Sequence, residues 1–229
     1  AMKWIPGHHR VNLHAMYGEF PASIDRDRVE PSHFQSWIAW ARERKLALDL
    51  NATCFKHPEA ASGLTLSHPD ESVRLFWIEH VRRCRHIAAE MGRQLGEPAI
   101  HDLWIPDGFK DMPAHRGRYR EILLESLDLI FGDAYPEDRM KDALESKLFG
   151  IGSESYVVGS HEFYLGYAQA NGKMVCLDLG HFHPTESVAD KISAILQTRQ
   201  ELLLHLSRPV RWDSDHVVVL NDDVLAVCQ

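Results

Sequence analysis

Residues 174–205 read MVCLDLGHFHPTESVADKISAILQTRQELLLH, and this stretch decides the fold. The apolar run from Met174 to Leu177 has the length and composition of a strand, and Asp178 closes it. His181 follows three residues later, and a helical pattern runs from Glu186 to Arg199. A second run, Glu201 to Leu204, closes on His205. Upstream, Met140 to Leu144 is a strand closed by Glu145, within ALESK. Downstream, RWDSDH adds Asp213 and Asp215. Polar ligands at the ends of successive parallel strands converge on one mouth, a geometry that binds divalent metal, with two ions expected.

Working outward, the same alternation covers the chain. Strands are expected at Val11–Ala15, Leu46–Leu50 and Ala99–Ile105. Helices are expected from Glu30-Pro31-Ser32 onward, from Asp70-Glu71 to about Gly96, at Tyr119–Phe131 and at Glu162–Ala170. The tail from His216 to Cys228 reads as a strand or the start of a helix. Six β–α repeats are therefore legible in residues 1–229, taken as one domain without a linker. Such alternation means parallel pairing with helices outside. An open doubly wound sheet and a (β/α)8 barrel both fit that pattern. The ligand distribution favours the barrel, because an open sheet gathers its site at one switch point. A full barrel needs eight strands and about 250 residues, so a partial barrel is expected. Ala1 ahead of Met2 looks like an expression scar, and the pattern at Gln229 is unfinished, as in a fragment.

Composition narrows the function. The net charge of −8 disfavours a nucleic-acid partner. The basic cluster Arg82-Arg83-Cys84-Arg85 is expected on a solvated helix face. Four dispersed cysteines form neither a disulfide framework nor a C-x-x-C zinc site, which fits a reducing cytoplasm. Cys176 is expected to be a small core residue. No stretch is long and apolar enough for a membrane span, and AMKWIPGHHR has no signal-peptide core. Asn51-Ala52-Thr53 matches the glycosylation pattern by chance.

The charge of the mouth favours metal. Glu145, Asp178, Asp213 and Asp215 would repel one another unpaired, and two divalent cations would neutralise them. Mixed imidazole and carboxylate donors suit Mn2+, Co2+, Zn2+ or Mg2+. The bland alternative is scattered acids and structural histidines, in a chain with 15 His and 33 acids. His183 is read as structural. Lys147, two after Glu145, is expected to point the same way, either toward a substrate oxygen or into a salt bridge. Gly150-Ile151-Gly152 lacks the third glycine of a phosphate cradle.

The stretches VNLHA, LTLSH, WIPDG, ESKLFGIGSESYVVGSHEFYLGYA, CLDLGHFHPTE and LLLHLSRPVRWDSDHVV resemble the L-rhamnose isomerase family. That resemblance implies a (β/α)8 barrel related to xylose isomerase, a homotetramer, and a pair of metal sites commonly holding Mn2+. It implies interconversion of the sugars L-rhamnose and L-rhamnulose by a metal-assisted hydride shift. By position, Glu145, Asp178 and His205 resemble ligands of the first ion, and His181, Asp213 and Asp215 those of the second, catalytic one. Lys147 matches a lysine near the substrate carbonyl, Trp104 a pocket wall, and His14 a sugar-contacting histidine. The family's fourth ligand to the first ion, an aspartate on the last barrel strand, has no counterpart here. Two further readings stay open, an inactive fragment and a related isomerase of another sugar.

Overall fold

The strand ALDLN is buried along its whole length, as expected where both faces of a parallel sheet are covered. The computed structural model describes residues 6–147, 155–183, 185–199, 201–208, 210 and 215–229. Six strands form its one large sheet: β1 (Arg10–His14), β2 (Ala47–Asn51), β3 (Ala99–Leu103), β4 (Met140–Glu145), β5 (Met174–Asp178) and β6 (Leu203–His205). Every pairing is parallel, and the spatial order repeats the chain order. A doubly wound sheet would reverse its order at a switch point, and this one does not. The chain thus folds as a six-strand arc of a TIM-type (β/α) barrel.

Five helices alternate with the strands: α1 (Gln35–Arg44), α2 (Glu71–Leu95), α3 (Arg116–Phe131), α4 (His161–Asn171) and α5 (Val188–Ile195). A sixth, α6 (Asp222–Val227), follows β6, so the tail contains a helix. Its other half pairs His216–Val217 with Ser207–Arg208 in a short antiparallel ribbon. The caps of α2 match its sequence signals. The Asp70 carboxylate accepts from Ser72 N at 2.8 Å, and Gly96 takes φ +74° at the other end.

Period-two alternation divides the sheet into two unlike faces. Leu48, Leu50, Leu103, Leu144, Val175 and Leu177 pack outward into the main core, against Trp77, Val81, Ile87 and Met91 of α2. The inner face has only a small apolar plug of Ala143, Met174 and Cys176 with Ile100 and Leu203. The same alternation brings Asn51, Asp102, Glu145, Asp178 and His205 to the inner face.

One expectation fails at the basic cluster of α2. Arg82 and Arg83 pair with Asp133 and Glu79 near solvent, but Cys84 and Arg85 are buried. The Arg85 guanidinium donates to both oxygens of Asp142 on β4, at 2.9 and 3.0 Å. Asp142 also accepts from Lys173 at 2.8 Å and lies 3.2 Å from His101 Nδ1. A run of arginines at helical spacing covers more than one helix face, and the partner acid lies 57 residues away. Sequence spacing therefore does not show which arginine turns inward.

Gly92 lets α2 approach the loop before β4, since a Cβ there would overlap the Arg139 carbonyl oxygen. Gly92→Ala is expected to cost about 1–3 kcal/mol by overpacking. Asp142→Ala is expected to cost roughly 3–5 kcal/mol, because it leaves Arg85 buried without its partner. Urea denaturation checks both, and unchanged midpoints would contradict these packing assignments.

Candidate metal centre

The register steps the inner-face polar residues up the barrel. Asn51 pairs with Asp102, and Asp102 with Ala143. Glu145 pairs with Cys176, and Asp178 with His205. Asp102, Glu145, Asp178 and His181 are 1%, 3%, 3% and 7% exposed, so three acids share one dry region. His181 sits at the end of the single turn Leu179–His181, which begins where Asp178 Oδ1 accepts from Gly180 N at 2.6 Å. Ser207 Oγ donates to the same oxygen at 2.5 Å.

Two imidazoles flank Glu145. His181 Nδ1 lies 3.2 Å from Glu145 Oε1 and 2.9 Å from the Ser146 carbonyl oxygen. Donation from Nδ1 to that carbonyl selects the tautomer with its lone pair on Nε2, the usual arrangement of a metal-binding histidine. His205 Nδ1 lies 3.3 Å from Glu145 Oε1 and 3.7 Å from Asp178 Oδ2. Burial pushes Glu145 up, but its hydrogen bonds with His181 and His205 outweigh this and hold it below the usual carboxylate range. Asp102 is driven well up by burial and by the charge of Glu145. Burial also raises Asp178, reinforced by Glu145 and opposed by His181. His205 is raised, because Glu145 and Asp178 outweigh the effect of burial.

Two sets of side chains have the spacing of metal ligands. One oxygen each from Glu145 and Asp178 and one nitrogen of His181 lie within 4.8 Å of one another. Asp102, Glu145, Cys176 and His205 form the second set at the same spacing. Carboxylates and imidazoles are the donors that borderline and hard divalent ions take. A buried Asp102 Oδ1 without a protein partner also fits a cation nearby.

A cavity of about 770 Å³ opens over this centre, lined in part by Glu145, Asp178, His181, His205 and Asp215. Asp215 takes φ +47°, a left-handed turn that aspartate tolerates better than most residues. His14 and Trp104 line the same cavity. The edge-to-face contacts Tyr17–His14, His14–Phe55 and Phe55–Trp104, with centroids 5.7–5.9 Å apart, make one aromatic wall. Burial lowers His14, favouring neutral imidazole. His14 Nδ1, Asn51 Oδ1 and Trp104 Nε1 are buried polar atoms without a protein partner.

Lys147 stands apart. β4 ends at Glu145, so strand alternation does not extend to Lys147. Its ammonium donates to the Pro106 carbonyl at 2.8 Å, and it lines a neighbouring cavity of about 340 Å³ that shares His181. His183 bonds Thr185 Oγ1 at 2.7 Å within its own loop. Asp213 and Gly150-Ile151-Gly152 lie outside the described residues. Sequence reading missed Asp102, Asn51, Phe55 and Tyr17. Asp102 was open to discovery, since it precedes Trp104 by two on an extended run. Asn51 is 5% exposed and donates to Asp102 Oδ2 at 3.2 Å, a buried role foreign to a glycosylation site.

Fold and site together define the class: a parallel (β/α) barrel with a carboxylate–imidazole ligand cluster at the carboxyl ends of its strands. The chain belongs to the L-rhamnose isomerase (RhaA) family, whose model matches residues 1–229. It is 57% identical over 229 residues to an L-rhamnose isomerase of Rhodopirellula baltica, covering 100% of this chain and 54% of that one. With an L-rhamnose isomerase of Bacteroides thetaiotaomicron it shares 55% over 226 residues, 98% of this chain and 53% of the relative. The chain thus spans about half the length of these curated relatives. A D-tagatose 3-epimerase-like protein has the same fold, with TM-score 0.63 and 14% identity over 96% of this chain and 84% of its own. A D-psicose 3-epimerase superposes with TM-score 0.50 and 12% identity over 85% and 72%.

Metal binding is expected to compete with protons at His205. Imidazole must be neutral to ligate, and Glu145 and Asp178 raise the pH at which His205 gains a proton above the usual 6.5. Mn2+ affinity should be full above that raised value and fall as pH drops through it, with proton release on binding. Calorimetric titration at pH 8, 7 and 6 checks this, and a constant affinity would remove His205 from the ligands.

Proposed function

We propose that this chain carries the metal centre of an aldose–ketose isomerase that interconverts L-rhamnose and L-rhamnulose. The observation that carries the reading is the set of buried Glu145, Asp178 and His181 with half-buried His205 at the carboxyl ends of adjacent strands. Family membership supports the substrate class. Glu145, Asp178 and His205 would hold a first divalent ion, and His181 with Asp213 and Asp215 a second. Mn2+ is the proposed metal. Bound divalent ions supply positive charge that polarises the sugar's adjacent oxygens.

The protein's own groups position the sugar. The aromatic wall of Tyr17, Phe55 and Trp104 can cover its apolar face. His14, Asn51 and Trp104 bring polar atoms without protein partners to the same cavity, matching hydroxyl groups. Neutral His14 can donate or accept. In the proposed isomerisation one hydrogen passes as hydride between neighbouring carbons, and one proton moves between their oxygens. Oxidation of one carbon balances reduction of the other, so no redox cofactor is needed. Lys147 is assigned to the developing oxyanion, and its ammonium, a group with three donors, can keep its bond to the Pro106 carbonyl while doing so.

Assembly as a homotetramer and a cytoplasmic setting complete the proposal. Exposed Val217, Val219 and Leu220 support a subunit contact, and buried free cysteines support a reducing compartment. Among the described residues no helix is long and apolar enough to cross a membrane.

Purified protein supplied with Mn2+ is expected to isomerise L-rhamnose faster than L-mannose, L-lyxose or D-xylose. EDTA should abolish turnover, and Mn2+ should restore it. A folded, Mn2+-loaded chain with no isomerase activity would refute the assignment. Asp213→Asn should lower kcat by about a hundred-fold or more while leaving the circular dichroism spectrum unchanged. Substantial retained activity would take Asp213 out of the chemistry.

A further inference from the structure

Asp102 on β3 is 1% exposed and lies one layer beneath the mouth, at the level of Asn51 and Ala143. Its Oδ2 accepts from Asn51 Nδ2 at 3.2 Å, whereas Oδ1 has no protein partner. Leaving a carboxylate oxygen buried and unmatched is costly. One oxygen of Asp102 is nevertheless within 4.8 Å of ligand atoms of Glu145, Cys176 and His205. Among the described residues of the centre, Asp102 is the acid with a buried oxygen that accepts no hydrogen bond, and that carboxyl lies against Glu145, whose charge helps drive Asp102 up.

We propose that Asp102 is a further ligand of the ion held by Glu145 and His205, reaching it from the barrel interior. Asn51 acts as its clamp, fixing the carboxylate through Oδ2 and leaving Oδ1 for the metal. This rests on the metal-centre reading above. Asp102 thereby adds a negative charge and an oxygen donor from a third strand. Cys176 belongs to the same cluster but is a thiol among oxygen and nitrogen donors, and hard divalent ions favour the carboxylate.

The test titrates Mn2+ into the metal-free chain and follows free Mn2+ by electron paramagnetic resonance, with thermal melts of the metal-free proteins alongside. Asp102→Asn keeps the shape and a hydrogen-bonding oxygen but removes the charge. It should weaken one Mn2+ site about ten- to a hundred-fold, in the range seen when groups supporting a metal are lost, and should melt no lower than the parent without metal. Parent-like affinity in Asp102→Asn overturns the inference. Cys176→Ala should bind Mn2+ like the parent, and an equal loss there would also overturn it by pointing to floor packing. If Asp102→Asn does not fold, Asn51→Ala carries the test, since releasing the clamp should weaken the same site and unchanged affinity refutes the role. A parent chain that takes up no Mn2+ refutes both this inference and the function proposed above. Parent binding with a parent-like Asp102→Asn refutes this inference alone.

Discussion

Three carboxylates, on Asp102, Glu145 and Asp178, are held out of water within one small volume at the carboxyl ends of β3, β4 and β5. Removing an ionised carboxylate from water costs several kcal/mol even after relaxation. Here His181, His205, Ser207, Asn51 and the Gly180 amide offset part of that cost. The imidazole of His205, between Glu145 and Asp178, is drawn toward its cationic form. A site that recruits positive charge from its own histidine presents the same field to a divalent ion. Much of the surrounding architecture keeps these strand ends dry and in register.

The outer face of the sheet provides the rigidity. Leucines and valines of the strands lock against α2, and close-packed interiors resist the shifts that would move a ligand by an ångström. Asp142 strengthens this frame at the strand that matters most. Three residues before Glu145, it ties β4 to Arg85 of α2 and to Lys173 ahead of β5. Charge is arranged at the other end of the inner face too. Arg10 pairs with Asp49 at 2.6 Å, and Lys141 with Glu201 at 2.6 Å. The apolar plug of Ala143, Met174 and Cys176 shares that face and reaches the metal centre at Cys176, which pairs with Glu145. Polar groups thus occupy both ends of the barrel interior, where barrels place stability at the amino ends of strands and chemistry at the carboxyl ends.

Much of this was legible in the residues. Apolar residues recurring in short runs between helical patterns located all six strands to within a few residues, because the face of each strand turned to the helices is apolar. Asp70 and Gly96 marked the ends of α2 through local backbone chemistry that needs no tertiary contact. Glu145, Asp178 and His205 were visible because each terminates an apolar run. Arg85 was misplaced and Asp102 missed for one shared reason. Both are charged residues whose burial depends on a partner far along the chain, and a local pattern does not encode that partner.

Strand and helix alternation, the parity of each strand and the residues that end it follow from local physics, and these already place acids and histidines on a common rim. Three-dimensional packing settled the rest. It turned Lys147 toward Pro106, since β4 stops at Glu145 and extended alternation stops with it. It set Asn51 and Asp102 beneath the mouth, because the register of β2, β3 and β4 fixes depth as well as direction. Order along a strand sets which face a side chain takes, whereas its height within the barrel and its partners depend on how neighbouring strands are staggered, and only the closed-packed sheet supplies that stagger.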